Sequence, residues 1–262
     1  MTSADRWRGV LAGALAGFTG GLFGVGGGVV LIPLLTGRFH LGQHRAHGTS
    51  LAVIGATALA SLAVYGGGAH VAWRVALIVG LASAIAAPLG ARLATRLSPR
   101  RLRLAFALFL ALVAIRLLWH VPEAGAARPG AVPEWAVDLA TGAAMGLLAG
   151  FMGVGGGILA VPAFTLLLGL PQVTAQGTSL AVILVTAPAG AIEHHRQRNV
   201  AWTLAPWLAL GAALGAPPAA TLAVRLPHVL LARLFAAFLV VTAARIAWQA
   251  RCPAPVPGPA RA

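Results

Sequence analysis

The groups able to do chemistry in this chain are few, and the most suggestive of them are backbone. Two glycine runs interrupt apolar stretches, LFGVGGGVVLIP at 22–33 and FMGVGGGILAVP at 151–162. Glycine is the weakest helix former after proline, so three in a row predict an unwound break inside each stretch. A helix restarting after Gly28 or Gly157 offers backbone N–H groups without intrahelical partners, together with the positive end of its dipole. That chemistry is anion binding, and glycine lets a ligand approach the main chain closely. The candidate ligating residues are therefore Gly24, Gly26, Gly27 and Gly28 and, in the second run, Gly153, Gly155, Gly156 and Gly157. Gly-Thr-Ser follows each run, at 48–50 and at 177–179, which adds the hydroxyls of Thr49, Ser50, Thr178 and Ser179. Two plainer roles compete: the hydroxyls capping helix starts, and the glycines only allowing close helix packing.

Titratable residues add little. Asp138 and Glu193 are the only acids in or beside an apolar segment, and Glu193-His194-His195 falls at a segment end. Adjacent histidines point to different faces of a helix, so they do not form a metal pair. Gly24, Gly26 and Gly28 lack the spacing of a dinucleotide fingerprint and have no strand–helix–strand context. There is no His-Glu-x-x-His, no paired aspartates and no nucleophile beside a base. No catalytic residue, metal or cofactor is expected, and the chain does not read as an enzyme. The single cysteine, Cys252, excludes an internal disulfide.

The elements that must position the breaks are membrane segments. Hydrophobic residues make up 59% of the 262 and charged ones 9%, with a mean hydropathy of +0.86. A soluble domain carries roughly 25% charged residues, so a water-soluble globule is excluded. The net charge of +14 comes from 19 arginines and no lysine. These arginines lie between apolar segments and form no single basic face, which excludes a nucleic-acid surface. Eight segments result, at 8–37, 46–66, 71–96, 102–120, 135–169, 175–193, 200–224 and 229–250. The expected organisation is a first membrane repeat over 1–120, a linker at 121–133, a second repeat over 134–250 and a Pro-rich, disordered tail at 251–262.

The repeat is explicit. GVGGG at 24–28 recurs at 153–157 and GTSLAVI at 48–54 recurs at 177–183, both at an offset of 129. The same offset pairs Pro33 with Pro162, Val71-Ala72-Trp73 with Val200-Ala201-Trp202, and Trp119 with Trp248. Without a gap, 42 of the 99 positions from 21 to 119 are identical. If every segment crosses once, the arginines divide evenly between the two sides. If segments one and five are re-entrant, each half makes three crossings and the second half is inverted. With the N-terminus inside, 14 arginines are then cytoplasmic and five, Arg74, Arg116, Arg128, Arg225 and Arg233, face out. The positive-inside rule favours this second arrangement. The fold class expected is an all-α polytopic membrane protein of two inverted repeats, with both termini cytoplasmic.

The pattern Phe23 to Gly28, Pro33 and Ala46 to Ser50, repeated as Met152 to Gly157, Pro162 and Ala175 to Ser179, resembles the sulfite exporter TauE/SafE family of membrane transporters. The resemblance runs from about residue 9 to 249. It implies a permease or exporter of the bacterial inner (cell) membrane whose substrates include sulfite, sulfoacetate and other small organosulfonates. Two departures stand out, His47 where the second half has Gln176, and Met152 where the first has Phe23. The expected partners are the bilayer and a small anionic substrate, and whether one copy or a homodimer works is left open. The alternatives are an anion channel and a membrane assembly subunit of another complex.

Overall fold

The computed structural model describes residues 3–94, 99–119, 133–152 and 157–251, and among them it is helical with no strand. The helices are α1 (Ser3–Phe23), α2 (Gly28–Gly37), α3 (Gln43–Gly67), α4 (Trp73–Ala94), α5 (Pro99–Trp119), α6 (Glu134–Met152), α7 (Gly157–Leu166), α8 (Gln172–Arg196), α9 (Ala205–Arg225) and α10 (His228–Arg251). The first glycine run ends α1 and starts α2, whereas in the second half α6 is described up to Met152 and α7 from Gly157. The linker up to residue 132, the tail beyond Arg251, and Gly153, Gly155 and Gly156 lie outside the described residues.

Helices α3, α8, α9 and α10 are long and apolar enough to cross a membrane. Helices α2 and α7 have ten residues each, about 15 Å of rise, which is half of a hydrocarbon core about 30 Å thick. Large apolar side chains such as Leu59, Ile85, Trp119, Val241 and Trp248 point outward, each more than half exposed. An apolar exterior of this extent matches lipid as the surrounding solvent.

The halves interlock instead of lying side by side. Helix α1 packs mainly on α9, and its equivalent α6 packs mainly on α4. Gly13 lies against the backbone of Leu208, Gly17 against Ala212 and Gly21 against Ala216, so α1 and α9 run parallel. At the 129-residue offset, Gly142 lies against Val79 and Gly146 against Ser83. Small residues permit such backbone-to-backbone approach where lipid supplies no hydrophobic drive between helices.

The equivalent pair α3 and α8 runs head to tail. Gly48, near the start of α3, meets the Asn199 carbonyl just past the end of α8, and Gly177 meets the His70 carbonyl just past the end of α3. Both loops turn back through a non-glycine residue at positive φ, Ala69 (φ 57°) and Arg198 (φ 58°), again 129 residues apart. The left-handed region is costly for residues with a Cβ. Its use at both equivalent positions shows that the packing of the loop carbonyls outweighs that cost.

The paired glycine breaks

In the first half, α1 ends at Phe23 and α2 begins at Gly28. Gly24, Gly26 and Gly27 all have positive φ, at 71°, 72° and 82°. Gly27 caps α2, its carbonyl accepting from the N–H groups of Val30 (3.1 Å) and Leu31 (2.9 Å). It sits directly on the Ala16 carbonyl of α1, so the chain doubles back beside the helix it has just left. Leu31 and Leu35 accordingly share a buried cluster with Ala16 of α1 and with Leu204 and Leu208.

The first break meets the start of α7. A Cβ at Gly157 would lie 2.9 Å from the Val25 carbonyl oxygen and 2.7 Å from Ile183 Cδ1. Ile183 also reaches Gly26, at 3.2 Å from its would-be Cβ, opposite the equivalent Ile54 at 3.3 Å. Ser50 Oγ lies 3.3 Å from a Cβ placed on Gly28. Ser50, Ser179, Thr49 and Thr178 are all buried.

The carbonyl ends of the break are tied off by side chains. Ser179 donates to the Gly24 carbonyl at 2.7 Å, with the Gly157 carbonyl 3.4 Å away. Tyr65, fully buried in α3, donates to the Gly21 carbonyl at 2.8 Å and stands 3.2 Å from the Gln176 amide. Gly21 belongs to the last turn of α1, where carbonyls lack intrahelical donors. Hydroxyls therefore compensate the negative end of α1, while the positive end of α2 starts at Gly28.

The threonines have a different task. The Ala201 N–H donates to Thr49 Oγ1 at 2.9 Å, and the Ala72 N–H donates to Thr178 Oγ1 at 3.0 Å. Each Gly-Thr-Ser thus grips the Val-Ala-Trp loop of the opposite half. Glycine admits the loop carbonyl and threonine takes the N–H two residues on. Neither threonine caps its helix, since both lie in the second turn. Of the acids singled out from the sequence, Asp138 is buried in α6, while Glu193 is exposed and accepts from Gln197 Nε2 at 2.8 Å. Tyr65 is the residue that sequence reading passed over. It sits at the position equivalent to His194, so the repeat disguises it, and a lone tyrosine in a Leu/Ala-rich helix is the one available signal.

Among the described residues, four helices long and apolar enough to cross a membrane, together with an apolar exterior, define a multi-pass membrane protein. The sulfite exporter TauE/SafE family matches residues 2–117 and 139–261, and the chain belongs to that family. It is 31% identical over 250 residues to a "Probable membrane transporter protein" of Xylella fastidiosa (strain 9a5c), covering 91% of this chain and 93% of that one. It is 28% identical over 229 residues to "Probable membrane transporter protein YunE" of Bacillus subtilis (strain 168), covering 79% and 84%. A "Probable membrane transporter protein MJ0441" of Methanocaldococcus jannaschii is 26% identical over 193 residues, covering 71% and 70%.

Proposed function

We propose that this membrane transporter carries small sulfur oxyanions, sulfite or organosulfonates, by alternating access around the paired glycine breaks. The observation that carries the reading is the junction itself, where Val25 of the first break lies against Gly157 at the start of α7. Backbone N–H groups at the start of α2, and by the repeat at the start of α7, are the anion donors. The ligating residues are Gly24, Gly26, Gly27 and Gly28, with Gly153, Gly155, Gly156 and Gly157 in the second half, and Ser50 beside Gly28. Thr49, Thr178 and Ser179 hold the frame. Such a site binds an anion without burying an arginine, which would be costly in the bilayer.

The repeats are inverted in this reading, with α1–α2 and α6–α7 as re-entrant pairs and three crossings in each half. The head-to-tail course of α3 and α8 supports it. So does the ion pair of Arg74 with Glu134 at 2.8 Å, two residues that the topology puts on the outer side. The arginine distribution supports cytoplasmic termini, and membership of the family supports the inner (cell) membrane of a bacterium. Rocking of one half against the other would expose the junction to each side in turn.

The test is thermal stability of the purified protein against sulfite, thiosulfate, sulfate, sulfoacetate, sulfolactate, taurine and simple carboxylates at matched ionic strength. A ligand at about 100 times its Kd adds roughly 2.7 kcal/mol, visible as a raised melting temperature. A selective rise with one sulfur oxyanion, lost in Gly28→Ala, is the expected result. No rise with any anion from a cooperatively melting protein would overturn it.

A further inference from the structure

Six threonines inside these helices follow one habit. Thr19, Thr36, Thr165, Thr186, Thr221 and Thr242 all return their hydroxyl to a carbonyl three or four residues back, at 2.8–3.3 Å. This is the ordinary way for a hydroxyl to be satisfied in an apolar helix. Thr57 and Ser61 of α3 break the habit. They are 1% and 0% exposed, and neither Thr57 Oγ1 nor Ser61 Oγ has a hydrogen-bond partner among the described residues. Leaving a buried hydroxyl unpaired costs roughly 1–3 kcal/mol, so two of them one turn apart on one face call for a function.

Their position supplies one. Residues 50, 54, 57, 61 and 65 fall within one face of α3 at 100° per residue. At one end of that face Ser50 and Ile54 touch Gly28 and Gly26 of the break. At the other, Tyr65 meets Gly21 and stands beside Gln176. From residue 54 to residue 65 is about 16 Å along the helix. Helix α3 holds no acidic residue. The equivalent face of α8 has no matching pair, because Thr186 is turned onto the Val182 carbonyl and Gly190 stands where Ser61 would be.

We infer that the Thr57 and Ser61 hydroxyls line a one-sided polar half-passage for small oxyanions, running from the glycine junction to the end of α3 that carries His70. This inference rests on the anion reading of the break. It adds that the route on the His70 side is marked by first-half hydroxyls, donors that pass an anion along without holding it as a charge would. The passage toward the Asn199 side is built from different residues.

The test uses the full chain in its membrane, with Cys252→Ser as background and Thr57→Cys and Ser61→Cys introduced singly. The probes are the anionic thiol reagent 2-sulfonatoethyl methanethiosulfonate and its cationic trimethylammonium counterpart, each normalised to its rate with a free thiol. Leu59→Cys, at 63% exposure, and Ala58→Cys, fully buried, are the controls on the same helix. Expected is anionic modification of Ser61→Cys and Thr57→Cys about tenfold or more faster than of either control, and faster than by the cation, since only a solvated thiol ionises and reacts. Equal rates at all four positions, or equal rates for anion and cation, would overturn the inference in a protein that still elutes as a folded species. If labelling fails while Gly28→Ala still removes the anion-induced stabilisation, the half-passage falls and the break site stands. If both fail, the anion reading itself is wrong.

Discussion

The backbone N–H of Ala201 donates to the Thr49 hydroxyl oxygen at 2.9 Å, tying the loop after α8 to a helix of the opposite half. The repeat supplies the reciprocal bond, Ala72 to Thr178 at 3.0 Å. The two lie at opposite ends of the antiparallel α3–α8 pair, so one clasp holds the halves together at each end. Alternating access requires the halves to move against one another, which makes the clasps the contacts that such motion must strain.

Thr49→Val keeps the shape and removes the acceptor, leaving a buried N–H without a partner. The expected cost is about 1–3 kcal/mol, read as a lower melting temperature in detergent. Thr178→Val should cost less, because Ala72 is only half-buried whereas Ala201 is buried. Thr49→Ser should restore most of the loss. A Thr49→Val protein that melts with the wild type would show that the clasp contributes nothing to holding the halves.

The glycine stripe of α1 makes a second claim on stability. A Cβ at Gly17 would run into the Ala212 carbonyl, and one at Gly146 into the Ser83 carbonyl. Gly17→Ala and Gly146→Ala should therefore both push helices apart and lower the amount of folded protein in the membrane. Gly55, in the middle of α3, has nothing within 4 Å of its would-be Cβ. Gly55→Ala should be neutral or stabilise by up to about 1 kcal/mol through helix propensity. Size-exclusion profiles of the three variants decide it, and equal behaviour would remove the packing argument.

These particulars show what a single sequence can and cannot carry. The first break was legible because a glycine run inside an apolar segment has one physical consequence, and the duplication was legible as ungapped identity. The task of Gly-Thr-Ser was not. A hydroxyl that takes an N–H from 152 residues away looks in sequence like a cap or a ligand. The clasp also depends on Ala69 and Arg198 adopting positive φ, and neither residue type announces a left-handed turn. The stripe Gly9, Gly13, Gly17 and Gly21 was open to reading through its four-residue spacing, but its partner α9 lies in the other half.

Tyr65 ties the end of α1 to α3. Tyr65→Phe removes the donor to the buried Gly21 carbonyl and should cost about 1–2 kcal/mol. It should also weaken anion binding, because the negative end of the α1 dipole then lies uncompensated beside the break. Ser179→Ala, which frees the Gly24 carbonyl, should act in the same direction. The check is the anion-induced rise in melting temperature, expected to shrink in both variants. A full rise in both would mean that the carbonyl ends of the break do not face the ligand.

Neighbouring glycines of the break should separate folding from binding. Gly27 has φ 82° and lies on the Ala16 carbonyl, so Gly27→Ala meets both a left-handed penalty of about 1–2 kcal/mol and a collision. It should fail to yield folded protein. Gly28 is different: its would-be Cβ lies 3.3 Å from Ser50 Oγ and 3.6 Å from Ile54 Cγ2, contacts that a small shift relieves. Gly28→Ala should fold with a stability within about 1 kcal/mol of the wild type and yet lose the anion-induced shift, since in the proposed site the methyl group stands where the ligand would approach the N–H groups of α2. Gly157→Ala falls between the two, with its Cβ 2.9 Å from the Val25 carbonyl. It should fold less stably, because the junction of the breaks must open to admit it. Melting curves of the three variants with and without sulfite, thiosulfate and sulfoacetate give the answer. A Gly28→Ala protein that keeps a full anion response would place the binding site elsewhere, whereas a folded, stable Gly27→Ala protein would contradict the break geometry itself.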